Sequence, residues 1–469
     1  MLIISSDLHL KDGTSGKSIT VDEFRVFAER LGSVAYQASR RADGRYDPIN
    51  VIDLVFVGDV FDLIRSERWL LGPTGKPETI RPWNDPQGDR FIHKIQSIVT
   101  AIIKHNQAGL SIFKKMSQGK IIQLPPATRS GQPDLKTSER ISVPVRIHYM
   151  VGNHDWFLHL PGHDYDQIRK QIIEAMGLFN SDKPFPYEMK ESYPLQEIAR
   201  RYQVCARHGD MFDAMNYDKE AGRNVSTLGD AMTVELLTRF PYEVYRYVGM
   251  DLSPKLSEGL KELSNVRPAI VTPLWLGNLT NNYASDPQHA DVIKKIWDQC
   301  AEDFLNLDFV QSHDKRFTFD TVDALEAALL FSRGLSLDAL NSLAVWLNQK
   351  FMGNEKISIS EHALEEDALK QGLARYVVYG HTHFHEVVPL DSYMQAGKLL
   401  NQVYFNAGTW HHYHNLTLQE PTKFKFVGLH VMTYLAFFED GERGGRQFEA
   451  WSGSLSIPAR PRGAPGDQG

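Results

Sequence analysis

Five short apolar runs, each broken off by a cluster of glycine, histidine and acidic or amide residues, constrain this 469-residue chain more than any other feature. Leu2–Ser5 runs into Asp7, Val51–Val57 into Gly58-Asp59, and Val145–Val151 into Gly152-Asn153-His154. Tyr202–Ala206 runs into His208-Gly209-Asp210, and Tyr376–Tyr379 into Gly380-His381-Thr382-His383. Apolar runs of this length, bounded by Gly and polar residues, predict buried strands. In layered α/β folds ligands gather at the carboxyl ends of strands. The five clusters are therefore expected to converge on one site.

The predicted strand ends offer Asp7, His9, Asp59, Asn153, His208, His381 and His383 as metal ligands. Oxygen and imidazole donors suit Mn²⁺, Fe and Zn²⁺. Asp7-Leu8-His9 is expected to present two donors on one side of an extended chain, because side chains alternate with period two. His381 and His383 repeat that spacing. Asp59 can bridge two cations through its two carboxylate oxygens, and Asn153 supplies a neutral oxygen. Singly, each residue reads as a solvated turn, a helix cap or a core histidine. Together, and in order, they suit phosphoester cleavage: a cation pair lowers the pKa of water and offsets the phosphoryl charge. The remaining chemistry is positioning and electrostatics.

Ser6-Asp7-Leu8-His9, Gly58-Asp59-Val60-Phe61-Asp62, Gly152-Asn153-His154-Asp155, His208-Gly209-Asp210 and Gly380-His381-Thr382-His383 together resemble the motifs of the calcineurin-like metallophosphoesterase superfamily. The likeness covers roughly residues 1–64, 145–215 and 374–455. It implies an α/β fold, a four-layer α/β/β/α sandwich carrying a large, mainly helical insertion. It also implies a hydrolase that cleaves phosphoester or phosphoanhydride bonds with two divalent metal ions, Mn²⁺ first, with Fe and Zn²⁺ as alternatives. By that resemblance Asp7, His9 and His383 hold one ion, Asn153, His208 and His381 hold the other, and Asp59 bridges them. His154 would act at the scissile phosphate, and Asp62 would orient His154. The stretch Val403–Gly408 with Thr409-Trp410 is similar to the strand and turn that close the core in this superfamily. Asn406 and Trp410 then either border the site or pack behind it.

The stretches 65–144 and 216–373 interrupt a domain spanning 1–455 and are expected to form a cap or rim over the site, with ordinary scaffold helices as the alternative. Within the second, Ala324–Leu330 and Leu337–Leu347 carry apolar residues at helical spacing. The second stretch as a set is expected to form a wall or lid of the cleft, its aromatic-rich part 240–247, beside Arg239 and Arg246, offering substrate contacts through Tyr245 and Arg246. For each aromatic taken singly, a place in the core is the stronger reading. His411, His412 and His414 suggest an extra metal site, although solvated histidines are the stronger reading. His93, His105, His159, His163 and His385 have no motif context. The segment 13–18 mimics a phosphate-binding loop, but position 11, where that motif needs Gly, is Lys11. It is read as a flexible loop at the mouth of the site. The tail 456–469 is rich in Pro, Gly and Arg and is predicted to be disordered.

Composition narrows the function class. The net charge of −7 and the lack of a basic stripe disfavour nucleic acid as a partner. Apolar runs such as 435–438 fall far short of the roughly 18 residues a membrane span needs. Two cysteines, Cys205 and Cys300, and an amino terminus without a signal-peptide pattern predict a cytoplasmic protein. A phosphorylated small or medium molecule is the expected substrate. The motif set is similar to that of bacterial members that split diphosphates such as the lipid A precursor UDP-diacylglucosamine. Those members are shorter and often carry Arg where this chain has His154. A Ser/Thr protein phosphatase fits less well, because its Asp-Arg-Gly and Asn-His-Glu patterns are replaced by Asp62-Leu63-Ile64 and Asn153-His154-Asp155. A nuclease is disfavoured by charge, and a scaffold without activity by the intact ligand set. Substrate, native metal and oligomeric state stay open.

Overall fold

The computed structural model describes residues 1–72, 74–267, 272–284, 287–314, 358–395, 397–416 and 426–454. The chain first alternates strand and helix. It runs through β1 (Leu2–Ser5), α1 (Val21–Ala38), β2 (Ile52–Val57), α2 (Asp89–His105), α3 (Gln107–Ser117), the short pair β3 (Gln123–Leu124) and β4 (Ile141–Ser142), β5 (Val145–Met150), α4 (His163–Met176), α5 (Tyr193–Tyr202) and β6 (Val204–Ala206). A helical stretch follows: α6 (Leu228–Met232), a π-helical turn at Thr233–Thr238, α7 (Arg239–Val248) and α8 (Pro254–Lys261). After the two-residue β7 (Val266–Arg267) come α9 (Thr272–Tyr283), α10 (Pro287–Leu305) and α11 (Asp308–Asp314). The chain closes through β8 (Tyr376–Tyr379), β9 (His385–Gln395), β10 (Lys398–Ala407), β11 (His412–Leu416), β12 (Phe426–Phe437) and β13 (Phe448–Ser454).

This is a mixed α/β protein built on two larger sheets. The first runs β5-β2-β1-β12-β11-β7, with β13 also paired to β12; the second runs β6-β8-β10-β9. β1, β2 and β5 are mutually parallel, as are β6, β8 and β10. Alternation along the strands explains their continuous apolar runs. Leu2, Ile4, Val55 and Val57 join Val204, Val378 and Phe405 in one buried cluster between the sheets. The intervening Ile3, Leu54 and Phe56 face away, into a cluster with Phe27 of α1, Ile98 of α2, Phe113 of α3 and Ile168 of α4. α1 starts where the sequence provides a capping box, Thr20 with Glu23. Cys205 and Cys300 are free thiols. Among the described residues no helix is long and apolar enough to cross a membrane.

One expectation changes. The helical middle of 65–144 is no rim, since α2 and α3 bury Phe91, Ile95, Ile102, Leu110 and Met116 in the same core as β1 and β2. Its amphipathic pattern served a sheet face. The segment from α6 onward has a hydrophobic cluster of its own, including Leu236, Phe240, Leu260 and Trp297. The helices anticipated at Ala324–Leu330 and Leu337–Leu347 and the tail 456–469 lie outside the described residues.

Trp410 belongs to the core. It is fully buried, its ring lies 4.5 Å from that of Phe27, and its indole N–H donates to Thr433 O at 3.0 Å. Trp410→Ala is expected to cost about 3–5 kcal/mol of unfolding free energy in a urea titration. A loss below about 1 kcal/mol would mean the ring is not part of the core.

Candidate metal centre

All five strand ends carry their clusters to one place. β1, β2 and β5 deliver Asp7, His9, Asp59 and Asn153, while β6 and β8 of the facing sheet deliver His208, His381 and His383. One group gathers around Asp7 Oδ1, with His383 Nε2 at 3.3 Å and His9 Nε2 at 3.7 Å; the two imidazole nitrogens are 3.0 Å apart. A second gathers around Asn153 Oδ1, with His208 Nε2 and His381 Nδ1 each at 3.1 Å. Asp59 Oδ2 stands between the groups, 3.7 Å from His9 Nε2 and 3.2 Å from His208 Nε2. Its other oxygen accepts a hydrogen bond from His154 N at 2.9 Å. One carboxylate oxygen, rather than two, therefore faces both groups.

The backbone that aims these side chains is not the extended chain expected from the Asp-Xaa-His spacing. Asp7, His9, Asp59, His381 and His383 all have φ between 46° and 67°. They are five of the eight non-glycine residues with positive φ among those described. The left-handed conformation costs on the order of 1–2 kcal/mol per residue. Such outliers persist only where surrounding contacts over-determine them, and they concentrate at functional sites. Here the contacts are long-range. His381 N donates to Asp7 Oδ2 at 3.0 Å, and His9 N to Asp59 O at 2.9 Å. Asn406, fully buried behind the site, donates to Gly380 O at 2.8 Å. Two motif glycines are required by close approach. A Cβ on Gly152 would sit 2.4 Å from Asp59 Oδ1, and one on Gly380 2.5 Å from Asp7 Oδ2.

The outward ring nitrogens are occupied by partners that set the tautomers. His208 Nδ1 meets Val57 O at 2.9 Å, and His381 Nε2 meets Asp213 Oδ2 at 3.0 Å. Asp62 serves two rings: its Oδ2 lies 3.0 Å from His9 Nδ1 and its Oδ1 2.8 Å from His154 Nδ1. His154 is thus placed against Asp62 as anticipated, with its side chain 12% exposed while that of His9 is sealed. Asp155 ties the loops together, taking Gly152 N at 2.6 Å and Val60 N at 3.0 Å. Burial and the nearby Asp59 charge push its carboxyl up to about 7.

Electrostatics match a cation-binding interior. Burial would raise the Asp7 carboxyl, but His208, His383 and His9 outweigh it and hold it well below the usual range. Asp59 and Asp62 are held low in the same way, chiefly by His208 and His154 respectively, against burial. Conversely, burial would lower His208, yet Asp59 and Asp7 raise it well above an ordinary histidine. Positive charge offsets the buried carboxylates here, and a metal cation would supply it. Asp7 Oδ1 is buried without a hydrogen-bond partner. These buried His and Asp groups can hold a metal ion.

The helical segment meets the centre at its beginning rather than at its aromatic stretch. Asn216 Oδ1 accepts from Asn153 Nδ2 at 3.1 Å, next to Asp213 on His381, and Asp230 Oδ2 accepts from Trp156 Nε1 at 3.3 Å. Of the 240–247 stretch, Phe240 and Val244 are core. Tyr245 bonds Ser257 and Arg246 pairs with Glu243, both within the segment itself. Asp213 and Asn216 went unnoticed in the sequence, where nothing sets them apart from ordinary loop residues. The loop 13–18 is tethered, through Ser15 Oγ to Arg65 O at 2.6 Å and Lys17 N to Glu262 Oε1 at 3.1 Å.

The backbone strain is open to a direct test. His383→Gly and His383→Ala both remove the imidazole and differ in backbone freedom. At φ 65° the glycine variant is expected to be the more stable of the two by about 1 kcal/mol, the reverse of the usual order. Equal stability in chemical denaturation would mean the left-handed conformation is not enforced.

No protein-family model matches this chain, and a search of curated proteins finds no match, so the reading of the centre rests on the side chains themselves.

Proposed function

We infer that the chain is a metal-dependent phosphohydrolase of the calcineurin-like metallophosphoesterase type, on a four-layer α/β/β/α sandwich, acting on a small or medium phosphorylated molecule. The observation that carries the reading is Asp59 Oδ2 standing between two donor groups. Asp7, His9 and His383 would hold one divalent ion and Asn153, His208 and His381 a second, with Asp59 common to both. The mixed oxygen and imidazole donors suit Mn²⁺, Fe or Zn²⁺. Bound there, two such ions would offset phosphoryl charge and lower the pKa of water.

The other roles fall to the chain's own groups. Asp62 accepts from His154 Nδ1, which leaves Nε2 to donate to a phosphoryl oxygen or to the leaving group. The His154 backbone N–H holds Asp59 by its Oδ1, so the acid–base group and the shared ligand are positioned by one residue. Asp213 orients His381 from outside, as a carboxylate commonly does for a ligating histidine.

Protein loaded with Mn²⁺ is expected to hydrolyse an aryl phosphodiester or a panel of nucleotides and sugar nucleotides. Asp59→Asn should strip both ions, read by elemental analysis. No metal-stimulated hydrolysis of any phosphoester or anhydride in the panel would sink the reading. His154→Ala is expected to lower kcat by roughly 10²–10⁴-fold at unchanged metal content; metal loss equal to that of His208→Ala would make it a ligand instead. Asp62→Asn should do both, weakening metal affinity roughly 10–100-fold through His9 and lowering kcat through His154. A loss confined to one of the two would show that Asp62 serves a single ring.

A further inference from the structure

Outside the main centre, a second group of donors comes together where the helical segment joins the sheet. Glu262 follows the last turn of α8, four residues before β7 enters the sheet beside β11. His412 and His414 lie two apart on β11 and so project from the same face. Glu262 Oε2 is 3.6 Å from His412 Nδ1 and 3.5 Å from His414 Nε2. Neither contact is a hydrogen bond: both ring nitrogens are buried without a partner.

We propose that Glu262, His412 and His414 form a second, mononuclear metal site of zinc type, separate from the main centre, and that the ion locks the helical segment onto the sheet. Around tetrahedral Zn²⁺ with bonds near 2.0–2.1 Å, neighbouring donors stand roughly 3.3–3.5 Å apart. The Glu262–His414 separation of 3.5 Å falls in that range and the Glu262–His412 separation of 3.6 Å lies just above it. Both exceed a direct N–H···O bond of about 2.9 Å, and all three donor atoms lie within 4.8 Å of one another. Two imidazoles and one carboxylate favour zinc over magnesium or calcium. Three protein donors leave a fourth position for water or a ligand.

Several features prepare the site. Glu262 is 3% exposed, and its carboxylate is oriented by Asn265 Nδ2 at 2.7 Å on Oε2 and Lys17 N at 3.1 Å on Oε1. These are the outer-shell bonds expected around a ligating carboxylate. The Lys11 ammonium bonds Asn265 Oδ1 at 3.4 Å and Lys17 O at 3.3 Å, and its charge lies close enough to help hold Glu262 ionised. Gly428 of β12 stands opposite His414, and a Cβ there would sit 3.0 Å from His412 Nε2. The glycine clears room for both rings. Trp275 of α9 covers His414 at 4.4 Å between ring centroids. His411, by contrast, turns toward His9, with ring centroids 5.7 Å apart. The site is thus distinct from the main centre although it begins one residue further on.

The test uses the full chain. Crystals loaded with Zn²⁺ are expected to show an anomalous peak at the zinc edge between Glu262, His412 and His414, besides density at the main centre. In equilibrium dialysis against Zn²⁺, Glu262→Gln and His414→Gln should each hold one equivalent less than the wild type. Zinc should also protect the 228–314 segment from protease in the wild type and not in these variants. No anomalous peak among the three residues overturns the proposal, even where a variant fails to fold. Unchanged stoichiometry in a folded variant overturns it equally. Failure of phosphohydrolysis leaves these outcomes unaffected, because none is read through activity.

Discussion

The face-to-face packing of the two sheets is the constraint on which the rest depends. Leu2, Ile4, Val55 and Val57 from one sheet share a sealed cluster with Val204, Val378 and Phe405 from the other. β1, β2 and β5 of the large sheet end at the same side as β6 and β8 of the small one. Donors from residues 7 to 383 can therefore meet only because that apolar seam holds the strand ends in register. Non-directional burial thus positions directional chemistry. A shift of one residue in either sheet would exchange the strand's two buried faces and carry the ligand loops with it.

The seam alone does not aim the side chains. Asp7, His9, Asp59, His381 and His383 sit in left-handed conformations that their side chains disfavour. Cross-loop hydrogen bonds such as His381 N to Asp7 Oδ2, and the close approach of Gly152 and Gly380, hold them there. Strain of this kind is the counterpart of preorganisation: a relaxed loop would let the carboxylates separate and hydrate. Three carboxylates pressed together in a buried site need counter-charge, and against burial Asp59 and Asp7 raise the His208 pKa well above that of an ordinary histidine. The donors, their strain and their electrostatics thus have a common cause.

The helical segment adds a different kind of order. It carries its own hydrophobic cluster, and near its start Asn216 bonds Asn153 of the centre while Asp230 bonds the neighbouring Trp156. It reaches the sheet again through β7 and Glu262. Packing joins these polar anchors: Val234 is fully buried in the same core as β1 and β2, and Tyr242 packs against that core.

The sequence alone was enough to identify the five strands and the oxygen and imidazole donors at their ends, because short apolar runs and clustered donors are local signals. That Asp62 orients His154 was implied by the family resemblance rather than by spacing, since the two residues stand on different loops, 92 positions apart. Other features were decided only by tertiary structure. The Asp-Xaa-His pairs are aimed by left-handed backbone rather than by strand pleat, which depends on hydrogen bonds between loops far apart in the chain. The helices α2 and α3 proved to be core, because an amphipathic pattern does not say which surface it covers. Trp410 packs inside for the same reason. His412 and His414, which read as solvated histidines, face Glu262 from a distant segment. No local pattern records that meeting, because burial and opposing charge emerge only when the chain closes on itself.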